Sequence, residues 1–254
     1  MATTELRAMS TGEILDASFA LVRRHAAVLF GIAIVCQGVP SAIGLYVQFG
    51  GGVEQHLGLY LLGQVLNIIG YLLVSGAVIW VVSEAYLGRE TALGDALRYA
   101  AGRMGRNLAA AMASGILVML AALLLIIPGI IVACGLSVAV QAAVLEPLKS
   151  GTDGVGRSWS LTKGYRGKAL GLYFVVFAVV MVVFIGAGLV VGVAAAFLPI
   201  LSVPALIVFT LISLLVYPFS SCVFTLFYYD LRVRKEAFDL EVLSQHIGLE
   251  PAGA

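Results

Sequence analysis

The chain has 254 residues, 61% of them hydrophobic and 11% charged, with a net charge of +1. Soluble domains carry roughly 45–50% apolar and about 25% charged residues, so this composition excludes an ordinary water-soluble globule. Disorder needs the opposite balance, and a net charge this small leaves no cationic excess for nucleic-acid phosphates.

Charged residues fence off the candidate spans. No Asp, Glu, Lys or Arg occurs in the 29 residues between Arg24 and Glu54, the 29 between Glu54 and Glu84, the 39 between Arg106 and Glu146, or the 61 between Lys168 and Asp230. A spanning helix takes about 20 apolar residues. The first two runs therefore hold one span each. The third holds two, turning at Pro128-Gly129, and the fourth holds two, breaking at Pro199 and Pro204, because proline and glycine end helices at such places. The predicted fold is all-α: one polytopic transmembrane domain over 1–254, with six transmembrane helices in three hairpins. The spans fall near 26–48, 58–86, 107–127, 130–147, 168–196 and 204–229. Helices follow because lipid offers backbone polar groups no partner, and no alternating ten-residue segments of a β-barrel are visible. The 130–147 segment is the shortest, and a re-entrant hairpin there is the alternative.

Each hairpin is preceded by an amphipathic stretch, predicted as an interfacial surface helix near 10–24, 91–105 and 152–163. The first opens on Ser10-Thr11-Gly12-Glu13, a capping box. Its Ile14, Leu15, Ser18, Phe19, Leu21 and Val22 share one side. In the second, Leu93, Leu97, Ala100, Ala101 and Met104 oppose Asp95, Arg98, Arg103 and Arg106. The third is weaker. Asp16, Asp95 and Asp153 recur at similar places, but at spacings of 79 and 58 residues, so the repetition is loose.

All 15 Lys and Arg fall on one side of the predicted spans, and the three opposite connections carry none. The positive-inside rule then places both termini in the cytoplasm. Met1–Ser10 is polar and no cleavage site follows the first span, so no signal peptide is expected. A prokaryotic plasma (inner) membrane is the expected location.

Catalytic and metal-binding patterns are not visible. Cys36, Cys134 and Cys222 lie in different spans without ligand spacing, and His25, His56 and His246 are scattered. No cofactor is expected. No charge lies near the middle of a span, which argues against ion coupling. Gln37, Gln64, Asn67, Gln141, Ser41, Ser75 and Ser137 are polar within spans; interhelical hydrogen bonds are the simpler reading, a substrate path the other. Gly188 and Gly192 form a GxxxG, expected to pack within the bundle.

Two clusters are denser. In the first, Arg157, Ser158, Trp159, Lys163, Arg166 and Lys168 combine cations, hydroxyls and an aromatic suited to the headgroup layer. In the second, Asp230, Arg232 and Arg234 leave the last span, and Asp230 can pair with a basic residue of a neighbouring surface helix. These nine are the candidate lipid-headgroup or partner contacts. The competing reading is a span end held by salt bridges.

Three segments, Pro128-Gly129-Ile130-Ile131, Arg157–Gly164 and Tyr229–Leu240, together with Thr11-Gly12-Glu13-Ile14-Leu15-Asp16 and Arg23-Arg24, resemble the prokaryotic membrane domain found attached to some glycerophosphoryl diester phosphodiesterases. Gly154-Val155 departs from the Ala-Leu usual there. The resemblance implies a six-span helical module and not the esterase, whose catalytic barrel is a separate part; no catalytic residue carries over. The function expected is a non-enzymatic membrane module, a scaffold or partner-binding protein that meets phospholipid, anionic in particular, or a membrane-protein partner, with no nucleic acid. A small-molecule or lipid transporter component is the alternative, and an intramembrane enzyme the weakest.

Overall fold

The computed structural model describes residues 7–197 and 202–237. Among them the chain forms nine helices and no strand. Six helical stretches are long and apolar enough to cross a membrane.

Helix α1 (Thr11–Arg24) starts as its capping box dictates. Ser10 Oγ accepts the Glu13 N–H at 3.3 Å, and Glu13 Oε2 accepts the Ser10 N–H at 2.7 Å. Two of the orphan donors at the helix start are thereby satisfied. His25 separates α1 from α2 (Ala26–Phe49). Helix α3 (Leu57–Tyr86) ends in a Schellman motif. Gly88, at φ +78°, sends its N–H to Ala85, while the Arg89 N–H returns to Glu84; glycine fills this left-handed position without a Cβ clash.

The predicted surface helix 91–105 and the third span are one helix, α4 (Leu93–Leu124). Arg106 marks a change of polarity, but a charge does not end a helix. No proline interrupts residues 93–124, so hydrogen bonding runs on. At 1.5 Å per residue its 32 residues make a rod of about 48 Å, longer than the ~30 Å hydrocarbon layer.

The following turn also differs from expectation. It falls at Leu125, which is extended (φ −162°, ψ 150°), and α5 (Ile126–Gly135) begins before Pro128. A proline in the first turn loses no intrahelical hydrogen bond, because those N–H groups have no partner there. Pro204 repeats the arrangement in the first turn of α9 (Ser202–Glu236); Pro199 lies outside the described residues. The fourth span, Ile126–Leu145, is long enough to cross. It is broken at residues 136–138, after which α6 (Ala139–Leu145) completes it. Then come α7 (Asp153–Leu161) and α8 (Arg166–Phe197).

Helix α3 is the hub. It packs against α2, α4, α9 and α6, and its Val74, Val78 and Val82 are buried with Leu226, Phe227 and Tyr228 of α9. Ile14 of α1, Ala100 of α4 and Leu172 of α8 join the same core. Gly70 sets the α2–α3 approach, since a Cβ there would collide with the Cys36 carbonyl. Helix α8 lies on the outside, where Phe174 is 72% exposed and Val182 73%. Water would penalise that surface, and lipid tails do not. Gly188 and Gly192 have open space beside them, so the GxxxG faces away from the described bundle instead of packing within it.

Candidate functional site

Two ionic clasps tie helix ends together. The first is centred on Asp230, whose side chain is 0% exposed. Lys168, in the first turn of α8, donates to Asp230 Oδ2 at 2.5 Å, and Arg234 donates to Oδ1 at 3.0 Å. The Met9 N–H donates to Oδ1 at 2.7 Å, and the Met9 carbonyl accepts from both Lys168 and Arg234. A buried carboxylate needs this many partners. The segment leading into α1 is thus gripped by the starts and ends of two long helices.

The second clasp is centred on Arg157 of α7. Its Nε donates to both Glu146 oxygens, at 2.9 and 2.8 Å, and its terminal nitrogens reach Glu236. Burial alone would lower the Arg157 guanidinium; Glu236 and Glu146 outweigh it and hold it above its usual range, so it stays charged. Tyr228 donates to Glu146 at 2.8 Å, Arg232 pairs with Glu236, and Lys235 donates to the Ser160 carbonyl. At the same end Ser83 of α3 and Tyr229 of α9 share a hydrogen bond.

Helix α7 also repairs the break in the fourth span. The broken backbone leaves the Gly135 carbonyl and the Val138 N–H without helical partners. Ser158 donates to that carbonyl at 2.9 Å, Thr162 does so at 3.0 Å, and the Val138 N–H donates to Ser158 Oγ at 3.3 Å. Trp159 covers Gly135 so closely that a Cβ there would strike its ring.

The nine candidate contacts therefore have distinct surroundings. Arg157, Lys168, Asp230, Arg232 and Arg234 belong to the clasps, and Ser158 points inward as a cap. Trp159 is partly exposed, with the Arg166 guanidinium 3.8 Å from its ring centre. Lys163 is exposed, as are Arg23, Arg24, Arg98 and Lys149. The partner of Asp230 is Lys168 of a spanning helix, together with Arg234 of its own, and not a surface-helix cation.

The other notable feature is a cavity of about 300 Å³ inside the bundle. Of its 16 lining residues, 10 carry hydroxyl or amide groups and none is charged, and most of the wall they expose is apolar. Tyr71 and Ser75 come from α3, Asn107 and Ser114 from α4, Ser137 and Gln141 from the broken fourth span, Tyr173 from α8, and Tyr217, Ser220 and Ser221 from α9. Tyr71 and Tyr217 stand mid-way along their helices. Each is 13 residues, or ~20 Å of helix rise, from the acids Glu84 and Asp230 near the clasped end. Asn107 is spoken for by the Leu72 carbonyl, and Ser220 by its own helix. By contrast, the Ser114 hydroxyl is shut off from solvent and makes no hydrogen bond, while the Ser221 hydroxyl is buried beside Tyr217. Serines in helices ordinarily bond back to the previous turn. The sequence singled out Ser75, Ser137 and Gln141 but missed Ser114, Tyr217 and Ser221. Gln37 and Asn67, also singled out, bond to each other at 3.4 Å and lie outside this cavity. Among the described residues no cluster of His, Cys, Asp or Glu has metal-binding geometry.

No family model, no curated protein and no solved structure matches the chain.

Proposed function

We propose that this chain is a non-enzymatic multi-pass protein of a prokaryotic plasma membrane that takes a small uncharged polar solute into its bundle, as a small-molecule or lipid transporter component does. The cavity carries this reading. Irregular backbone at membrane depth is tolerated where it lines a cavity or is buried in protein, and transporters build solute sites from interrupted helices. Here the break at residues 136–138 contributes Leu136 and Ser137 to the cavity wall. An ion in this lining would lose its hydration with no counter-charge in return, so the preferred solute is neutral. The cavity has room for several waters, which suits a small polyol.

In this reading the six spans form three hairpins and the termini and cations face the cytoplasm. The start of α4, with α1 and α7, makes amphipathic contact with the interface. The motifs quoted above support membership of the phosphodiesterase-associated membrane-domain family. A second reading, a scaffold or anionic-lipid module, draws support from the clasped end, which is stiffened while Arg23, Arg24, Arg98, Lys149 and Lys163 point outward.

The test is solute flux into proteoliposomes of the purified full chain, followed by stopped-flow light scattering. Ribitol, glycerol or urea is expected to enter faster than into protein-free vesicles, choline chloride is not, and Ser221→Leu and Gln141→Leu variants that still elute as single species are expected to lose the difference. Equal rates with and without protein for all three neutral solutes overturn the transport reading.

A further inference from the structure

Helices α2 and α4 both pack on α3 but scarcely on each other. Between them runs a groove of about 580 Å³. Val35 and Val39 form one wall, and Leu66 and Ile69 lie along the floor. Val35 is 59% exposed and Val39 61%, so the groove opens to the lipid side. A single charged residue lines it, Arg98, six residues into α4. Ala101 and then Leu66 lie further along, so the cation stands at one end of an apolar trough.

Arg98 differs from four of the cations expected to meet lipid. Arg157, Lys168, Arg232 and Arg234 are held by carboxylates of this chain. Arg98 is exposed, and among the described residues it has no ion pair and no ring beneath it. Asp95, one turn back, does not close on it.

We propose that this groove and Arg98 form a site for one anionic phospholipid: an acyl chain lies along Val35, Val39, Leu66 and Ile69, and the headgroup phosphate pairs with the Arg98 guanidinium. A chain methylene gains nothing from water here, so the groove is filled by lipid in any bilayer; the cation selects the headgroup. One guanidinium near an anionic headgroup contributes ~1 kcal/mol, an approximately five-fold preference. The proposal rests on the lipid-contact reading and is independent of the solute cavity.

The full chain in mild detergent, titrated with phosphatidylglycerol or phosphatidylcholine of matched chains, is read by native mass spectrometry. The first phosphatidylglycerol is expected to be retained about five-fold better. Arg98→Gln is expected to remove that preference, Lys163→Gln to keep it, and Leu66→Trp to reduce retention of both lipids. Excess inorganic phosphate is expected to leave the bound lipid in place. Preference that survives Arg98→Gln, or falls equally with Lys163→Gln, overturns this site while leaving a general lipid surface. Displacement by phosphate reassigns the site to a free anion and overturns the lipid assignment. No preference in the unaltered chain ends both this site and the lipid-contact reading.

Discussion

Asp230→Ala is the sharpest perturbation of the clasped end. Asp230 is fully buried and accepts from Lys168, Arg234 and the Met9 N–H. Deleting it strands Lys168, whose side chain is only 14% exposed, and leaves the Met9 N–H unpaired. Removing one partner of a buried ion pair costs about 3–5 kcal/mol, at the upper end of single-substitution effects. Asp230→Asn keeps an acceptor for Met9 and is expected to lose less. Asp230→Leu or Lys168→Met alone also destabilises, but the double change Asp230→Leu/Lys168→Met is expected to recover most of the loss, because replacing a buried pair with apolar groups is often near neutral. Thermal unfolding of the purified chain in detergent, analysed as a double-mutant cycle, measures the coupling. Single losses that add in the double variant, or an Asp230→Ala loss within ~0.5 kcal/mol of zero, would refute the clasp.

Other outcomes follow from the same geometry. Ser158→Ala/Thr162→Val leaves the Gly135 carbonyl and the Val138 N–H unsatisfied and is expected to cost about 1–3 kcal/mol per stranded group, with amide exchange at Val138 accelerated. Gly70→Ala drives a Cβ into the Cys36 carbonyl, with a loss of about 1–3 kcal/mol, whereas Gly115→Ala, beside open space, is neutral or gains up to ~1 kcal/mol in the same melting assay. The Glu13 carboxyl is held down to about 2 by the Ser10 backbone N–H, Arg7 and the Ser10 hydroxyl. Because the folded value lies below the ordinary 4.5, its contribution is complete above that pH and disappears as the pH falls towards 2. A carboxyl-resolved NMR titration checks this, and Ser10→Ala should move the midpoint upward.

The apolar runs were legible because lipid demands about twenty uncharged residues per crossing, and the capping box because its partners are three residues apart. The merger of 91–105 with the third span was not, since hydrophobicity changes at Arg106 while helix propensity does not. Proline reads as a breaker, which puts the expected turn at Pro128; in the first turn of α5 it is compatible with the helix. The cationic clusters were visible as composition, but which carboxylate each cation meets depends on contacts such as Arg157–Glu236, 79 residues apart, and on a backbone partner, Met9, that has no sequence signature. Scattered serines and tyrosines in apolar runs carry no periodic signal. Only the packing of α3, α4, α8 and α9 around the broken fourth span brings Ser114, Tyr217 and Ser221 to one cavity.

In the proposed topology the bundle crosses the bilayer with its clasped, cation-bearing end on the inner side. Single cysteines at Gly52 and at Lys163, in a chain whose native Cys36, Cys134 and Cys222 are replaced by alanine, can be probed with an impermeant maleimide on intact and permeabilised cells. Labelling of position 52 in intact cells, and of position 163 only after permeabilisation, is the predicted result. Both positions reacting from the same side would contradict it.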